Sequence, residues 1–134
     1  MFRLHAQMMV VRLTYRELPV ANGVTISNGD CVRLTNGRFT LAATNEEVFG
    51  VSCTTDDVTG NAAGDHTIQA IMAFGVLWEA DQGALSDAAT QPGDLVDINA
   101  TSDGITTAAN NDFRIWEVDR TRNVVYGTFQ DTFV

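Results

Sequence analysis

Polar and apolar residues alternate with a period of two along much of this chain, and the alternation is clearest around Asn36-Gly37. Val32 and Leu34 alternate with Arg33 and Thr35 before that pair, and Phe39 and Leu41 alternate with Arg38 and Thr40 after it. Successive side chains of a strand point to opposite faces, so both runs present one apolar face. Asn-Gly supplies the positive φ angles of a two-residue turn, and residues 30–35 and 38–42 are therefore predicted to form a hairpin. Similar runs predict strands over 48–54, 66–73, 76–80 and 95–99, with a second hairpin from 113–119 and 123–128 across Arg120-Thr121-Arg122. Two further Asn-Gly pairs, Asn22-Gly23 and Asn28-Gly29, mark turns, and the polar stretch 55–65 reads as a surface loop. The one helical candidate, 85–90, is too short to matter structurally.

Two details refine this pattern. Gly29-Asp30-Cys31-Val32 and Gly93-Asp94-Leu95-Val96 both place Gly-Asp before a predicted strand, as expected if glycine completes a turn and aspartate bonds the following amides. From Ile68 onward, apolar residues fall on both parities (Ile68, Ile71, Met72, Phe74), so neither strand face can simply meet solvent. Either the sheet closes into a barrel with a covered exterior, or a partner subunit buries the second face. The predicted fold class is all-β, a small β-barrel or β-sandwich with short hairpins and little or no helix. Residues 1–20 are expected to be an N-terminal arm or edge strand, and 21–134 a single β domain.

Composition supports that picture and narrows the function. A chain of 134 residues, 45% hydrophobic, is long enough to bury a core without a metal or disulfide staple. Two prolines against eleven glycines favour many tight turns. The formal charge is -9, and all eight basic residues are arginines. Such a surface repels phosphate backbones and anionic lipid, so neither nucleic acid nor membrane is an expected partner. The charge is also uneven: residues 1–38 carry five arginines against two acids, and the remainder three arginines against fifteen. The skew is either an accident of a solvated surface or a basic arm, containing Arg3, Arg12 and Arg16, that docks on an acidic partner. The longest uncharged run of the opening stretch, 6–11, is too short for a signal h-region or a span, so synthesis in the cytosol without export is expected.

The usual signatures of catalysis do not occur. His5 and His66 have no neighbouring His or Cys at metal-ligand spacing, and there is no Gly-x-Ser-x-Gly elbow, P-loop or Gly-x-Gly-x-x-Gly run. A Cys53–His66 nucleophile would have to be assembled by folding, and Cys31 and Cys53 read more simply as buried thiols than as a bridge or reactive pair. Glu46-Glu47 and Asp56-Asp57 read as solvated loop acids rather than a catalytic pair. Asp56-Asp57 with Asp65 lacks the spacing of a recognised calcium loop. No catalytic residue, metal or cofactor is expected, and the chain is not expected to be an enzyme. Trp78 and Trp116, each within a predicted strand, are left as core residues, subunit or partner contacts, or sugar-stacking platforms.

The order of elements resembles the small head decoration (cement) proteins of tailed bacteriophages. The resemblance is carried by the run Val24 to Leu34 with its Gly29-Asp30, then Val48-Phe49-Gly50-Val51, then Ala73-Phe74-Gly75-Val76-Leu77-Trp78, then Pro92-Gly93-Asp94-Leu95-Val96. It spans about Val20 to Ile98 and leaves out the N-terminal stretch and the chain from Phe113 on. It implies a β-rich subunit, usually a homotrimer, that sits on the outer surface of an icosahedral head, binds the major capsid protein and clamps adjacent capsomers. Localisation would be the virion, after synthesis in the host cytoplasm. Under this reading Arg3, Arg12, Arg16, Trp78 and Trp116 are the expected capsid or subunit contacts. The alternative is a carbohydrate- or receptor-binding β module of a phage tail or fibre.

Overall fold

The computed structural model describes residues 1–7, 14–43, 46–73, 75–81, 90–99, 101–106 and 112–130. Those residues form strands, turns and loops, and among them there is no helix. In chain order the strands are β1 (Phe2–Gln7), β2 (Tyr15–Pro19), β3 (Thr25–Ile26), β4 (Cys31–Thr35), β5 (Arg38–Leu41), β6 (Gly50–Ser52) and β7 (Val58–Thr59), followed by β8 (Thr67–Met72), β9 (Val76–Asp81), β10 (Leu95–Ile98), β11 (Ile105–Thr106), β12 (Phe113–Asp119) and β13 (Val124–Phe129). The protein is all-β, as its alternation predicts. The helical candidate 85–90 lies almost wholly outside the described residues.

One antiparallel sheet has the order β1-β9-β13-β12-β10-β11, and a second has the order β2-β8-β6-β4-β5. The N-terminal stretch supplies an edge strand to each of them, β1 to the first and β2 to the second. The second sheet curls until its two ends meet, where Val20 bridges Phe39 in parallel and the Ala21 amide donates to the Phe39 carbonyl at 2.8 Å. Its inner face gathers Val20, Val32, Phe39, Phe49, Ile68 and Ala70. A two-stranded ribbon, β3 with β7, adds the fully buried Ile26 and the half-buried Val58 to this cluster. The stretch 55–65 is therefore not wholly a surface loop, because part of it is a strand that helps close a small core.

The outer face of the curled sheet is apolar as well. Cys31, Val51 and Ile71 pack from it against Phe2, Trp78, Phe113, Ile115, Val125 and Phe129 of the six-stranded sheet. Rings at the centre of this larger core meet at 5.6 Å (Phe2–Phe113), 5.0 Å (Phe2–Phe129) and 5.2 Å (Phe113–Phe129), the separations at which edge and tilted aromatic pairs are favourable. The two parities on β8 are thus accounted for within one chain. Ile68, Ala70 and Met72 face the inside of the curl, whereas Ile71 faces the second sheet. Of the two sequence alternatives, a barrel-like sheet with a covered exterior is what forms, and no partner is needed to hide that second face.

The turns follow from local chemistry. Asn36 (φ 51°) and Gly37 (φ 75°) both take the left-handed conformation, which joins β4 to β5 as a primed two-residue hairpin. The two Gly-Asp sites share one device, which differs from the expected one. Asp30 accepts from the Ser27 amide at 2.8 Å and Asp94 from the Gln91 amide at 2.9 Å, so each carboxylate reaches back three residues. The intervening Gly29 and Gly93 hold φ at 86° and 96°, which a side chain would resist.

Candidate functional site

The residues expected to make contacts are not brought together. Arg3, on β1, donates to Glu79 at 2.6 Å and to Asp81 at 2.7 Å, so its charge is satisfied inside the chain. Arg12 lies outside the described residues. Arg16 is exposed on β2, with its guanidinium at 3.1 Å from the Tyr15 carbonyl oxygen. Trp78 is 1% exposed, packs on Phe129 and points its ring N–H at the Ala73 carbonyl, 3.4 Å away. It offers no surface to a partner, and the contact expectation is corrected to a core role. Trp116 is 52% exposed on β12. The sequence already separates the two tryptophans: Trp78 shares parity with Val76 and Ala80 of the core, and Trp116 opposes the parity of Phe113 and Ile115.

The face of the six-stranded sheet that points away from the core carries an ionic network absent from the sequence expectations. Glu79, nearly buried, accepts from Arg3 and also from Arg122 at 2.9 and 3.2 Å, and Arg122 in turn donates to the Tyr126 hydroxyl at 2.9 Å. The His5 ring stacks on Tyr126 with centroids 4.0 Å apart. Burial alone would push the Glu79 carboxyl up, but the hydrogen bonds from Arg3 and Arg122 outweigh it and hold the group below its ordinary value. Asp81 is also held low, chiefly by its hydrogen bond from Arg3. A carboxylate clamped by two guanidiniums in this way stays ionised and is a poor proton donor or acceptor near neutrality.

Two concavities adjoin these elements. A crevice of about 290 Å³ lies where β1 meets the outer face of the curled sheet, and Leu4, Cys53, Val51 and Ile71 line it. A second cavity of about 240 Å³ is lined by Arg33, Leu34, Glu47 and Phe49. Neither gathers a catalytic constellation. Cys53 directs its thiol at the Gln69 carbonyl oxygen, 3.2 Å away, while His66 contacts the Thr59 carbonyl oxygen at 2.8 Å and Asp65 at 3.7 Å, so each has its own partners. Burial pushes both cysteine thiols up, most strongly at Cys31, which disfavours the thiolate that nucleophilic chemistry requires. Glu46 accepts from the Ala43 amide at 2.8 Å and pairs with Arg33 at 3.4 Å, and Asp56 and Asp57 are exposed. Among the described residues, no three His, Cys, Asp or Glu side chains gather as a metal-binding group.

The most distinctive surface feature is the setting of Trp116. The register of β12 against β13 shifts between Ile115 and Glu117, so Trp116 sits in a bulge without a partner of its own. Its indole N–H donates to Thr128 Oγ1 on β13 at 2.9 Å, and Gln130 Nε2 reaches the same oxygen at 3.3 Å. The ring is thereby tied across the strand pair while the residue stays about half exposed.

No protein-family model, no curated protein and no solved structure matches the chain.

Proposed function

We propose that this chain is a decoration protein of a bacteriophage head, binding the outer surface of the icosahedral shell and holding adjacent capsomers together. It acts by contact, without catalysis or cofactor. The observation that carries this reading is the ordered succession of Gly-Asp turns and Gly-Val strands between Val20 and Ile98, which resembles that family and which here forms β3, β4, β6, β9 and β10 of an all-β chain. Support also comes from charge: at -9 the surface disfavours DNA and anionic lipid but not a protein shell. Association as a homotrimer and a place in the virion belong to the same proposal. The need to hide two-sided strands no longer argues for partners, because the chain covers those strands itself.

Of the two described arginines of the basic N-terminal stretch, Arg3 and Arg16, Arg16 is the exposed one, with Tyr15 (44% exposed) beside it on β2. Binding of the purified protein to purified expanded capsids, read by co-sedimentation and by imaging of the decorated particles, tests the proposal. Saturable binding at a fixed shell position, weakened by Arg16→Glu, is the expected result. A strict monomer that leaves every shell undecorated overturns it.

A further inference from the structure

We infer that Trp116 forms a carbohydrate-binding platform, and that the open face of its indole stacks on a neutral pyranose of the glucose or N-acetylglucosamine type. The site is independent of any shell contact. Three observations converge on it. Trp116 is exposed although Trp78 is 1% exposed and the described phenylalanines are buried, so a large apolar area is left in water. The bulge re-aims this one side chain out of the ladder, as bulges do beside binding sites. The bond to Thr128 fixes the ring and satisfies its only donor, so a ligand meets a rigid, purely aromatic face at little further cost in side-chain entropy.

The surroundings then choose between a sugar and a protein. Among the described residues, the large exposed hydrophobics are Met1, Leu4, Tyr15, Leu34 and Trp116. Met1 and Leu4 line the crevice beside β1, and Tyr15 and Leu34 belong to the curled sheet, so the described neighbours of Trp116 are polar. Those neighbours are Glu117 beside it on β12, Arg114 two residues earlier with its guanidinium on the Gly93 carbonyl oxygen at 3.2 Å, and Thr128 and Gln130 from β13 and its end. A protein anchor works at the centre of a larger patch that is desolvated as a whole, and among the described residues no second large exposed hydrophobic side chain lies on β12 or β13 beside Trp116. A pyranose instead needs one aromatic surface for its C–H face and a rim of donors and acceptors for its hydroxyls, which is the arrangement present here. The net charge of -9 disfavours sialylated or sulfated glycans, hence a neutral sugar.

Chitotetraose, cellotetraose and maltotetraose are the probes. Intrinsic tryptophan fluorescence and saturation-transfer NMR on the sugar protons are the readouts, and thermal melts of each variant verify folding. At least one probe is expected to shift the emission saturably, with half-saturation at roughly millimolar concentration for a single stack, and to receive saturation at its ring C–H protons. Trp116→Ala should weaken that binding by about tenfold or more, whereas Trp116→Phe, which keeps an aromatic face, should lose less. Silence from all three probes up to about 10 mM overturns the proposal, as does equal binding by a folded Trp116→Ala protein. If Trp116→Ala abolishes capsid binding while the sugars stay silent, the residue is a protein anchor and the proposal also fails.

Discussion

At the scale of single residues, Glu79 shows how one position can be legible in kind and opaque in role. Its alternation with Trp78 and Ala80 places it on the face opposite the core, where a carboxylate belongs. Its near-burial under Arg3 and Arg122 depends on strands β1 and β13 lying on either side of β9, and pairing order is invisible to periodicity. The sign of its pH effect follows from the direction of its shift. Because the folded carboxyl lies below its ordinary value of 4.5, the network's contribution is fully present above that value and is lost as pH falls through the folded pKa. Asp81, also held low, adds to the loss in the same acidic window. Glu79→Gln is expected to lower stability at neutral pH by about 1–2 kcal/mol, less than a fully buried pair because both arginines reach solvent. In urea titrations between about pH 7 and pH 3, the variant should show a shallower acid loss than the parent chain. An equal acid slope in both would remove the network as its source.

Among the elements, those with several alternating residues were readable and those with two were not. The hairpin of β4 and β5 carries both its period and its Asn-Gly turn in the sequence, and β12 runs over the predicted residues 113–119. The ribbon of β3 and β7 has two residues in each strand, too few to show any period, and its partner strands lie more than thirty residues apart. Its importance comes from where it sits. Ile26 is fully buried against Val20, Phe39 and Phe49, so Ile26→Ala should cost about 2–4 kcal/mol by chemical denaturation. A change under about 0.5 kcal/mol would show that the ribbon is not part of the core. Gly127 on β13 makes a complementary test, because a Cβ there would run into the Arg114 carbonyl oxygen and the Phe113 ring. Gly127→Ala should therefore destabilise by about 1–3 kcal/mol through strain rather than lost burial. The Trp116 bulge adjoins this contact, and the sequence does mark it, because the core-facing apolar residues pass from odd positions (Phe113, Ile115) to an even one (Val118) across the register shift.

For the whole molecule, the two-sided strands left two ways of covering the second face open, and the one within the chain is what forms. Apolar residues on both parities of β8 do require two covers, but one is the interior of the curled sheet and the other is the six-stranded sheet of the same chain. The fold of the subunit should therefore survive dissociation of any oligomer it forms. Far-UV circular dichroism is expected to stay constant on dilution from about 100 μM to about 1 μM, where an obligate trimer would lose structure. One further consequence concerns time rather than shape. Strand β1 precedes β9 in the chain by many strands yet pairs with it, so that Phe2 lies opposite Ala80 and Arg3 opposite Glu79. During synthesis β1 must wait until β9 has emerged before it can dock. Refolding from denaturant should accordingly belong to the slow, millisecond-to-second regime of chains whose pairings are distant in sequence, and the capture of β1 is a natural late step in it.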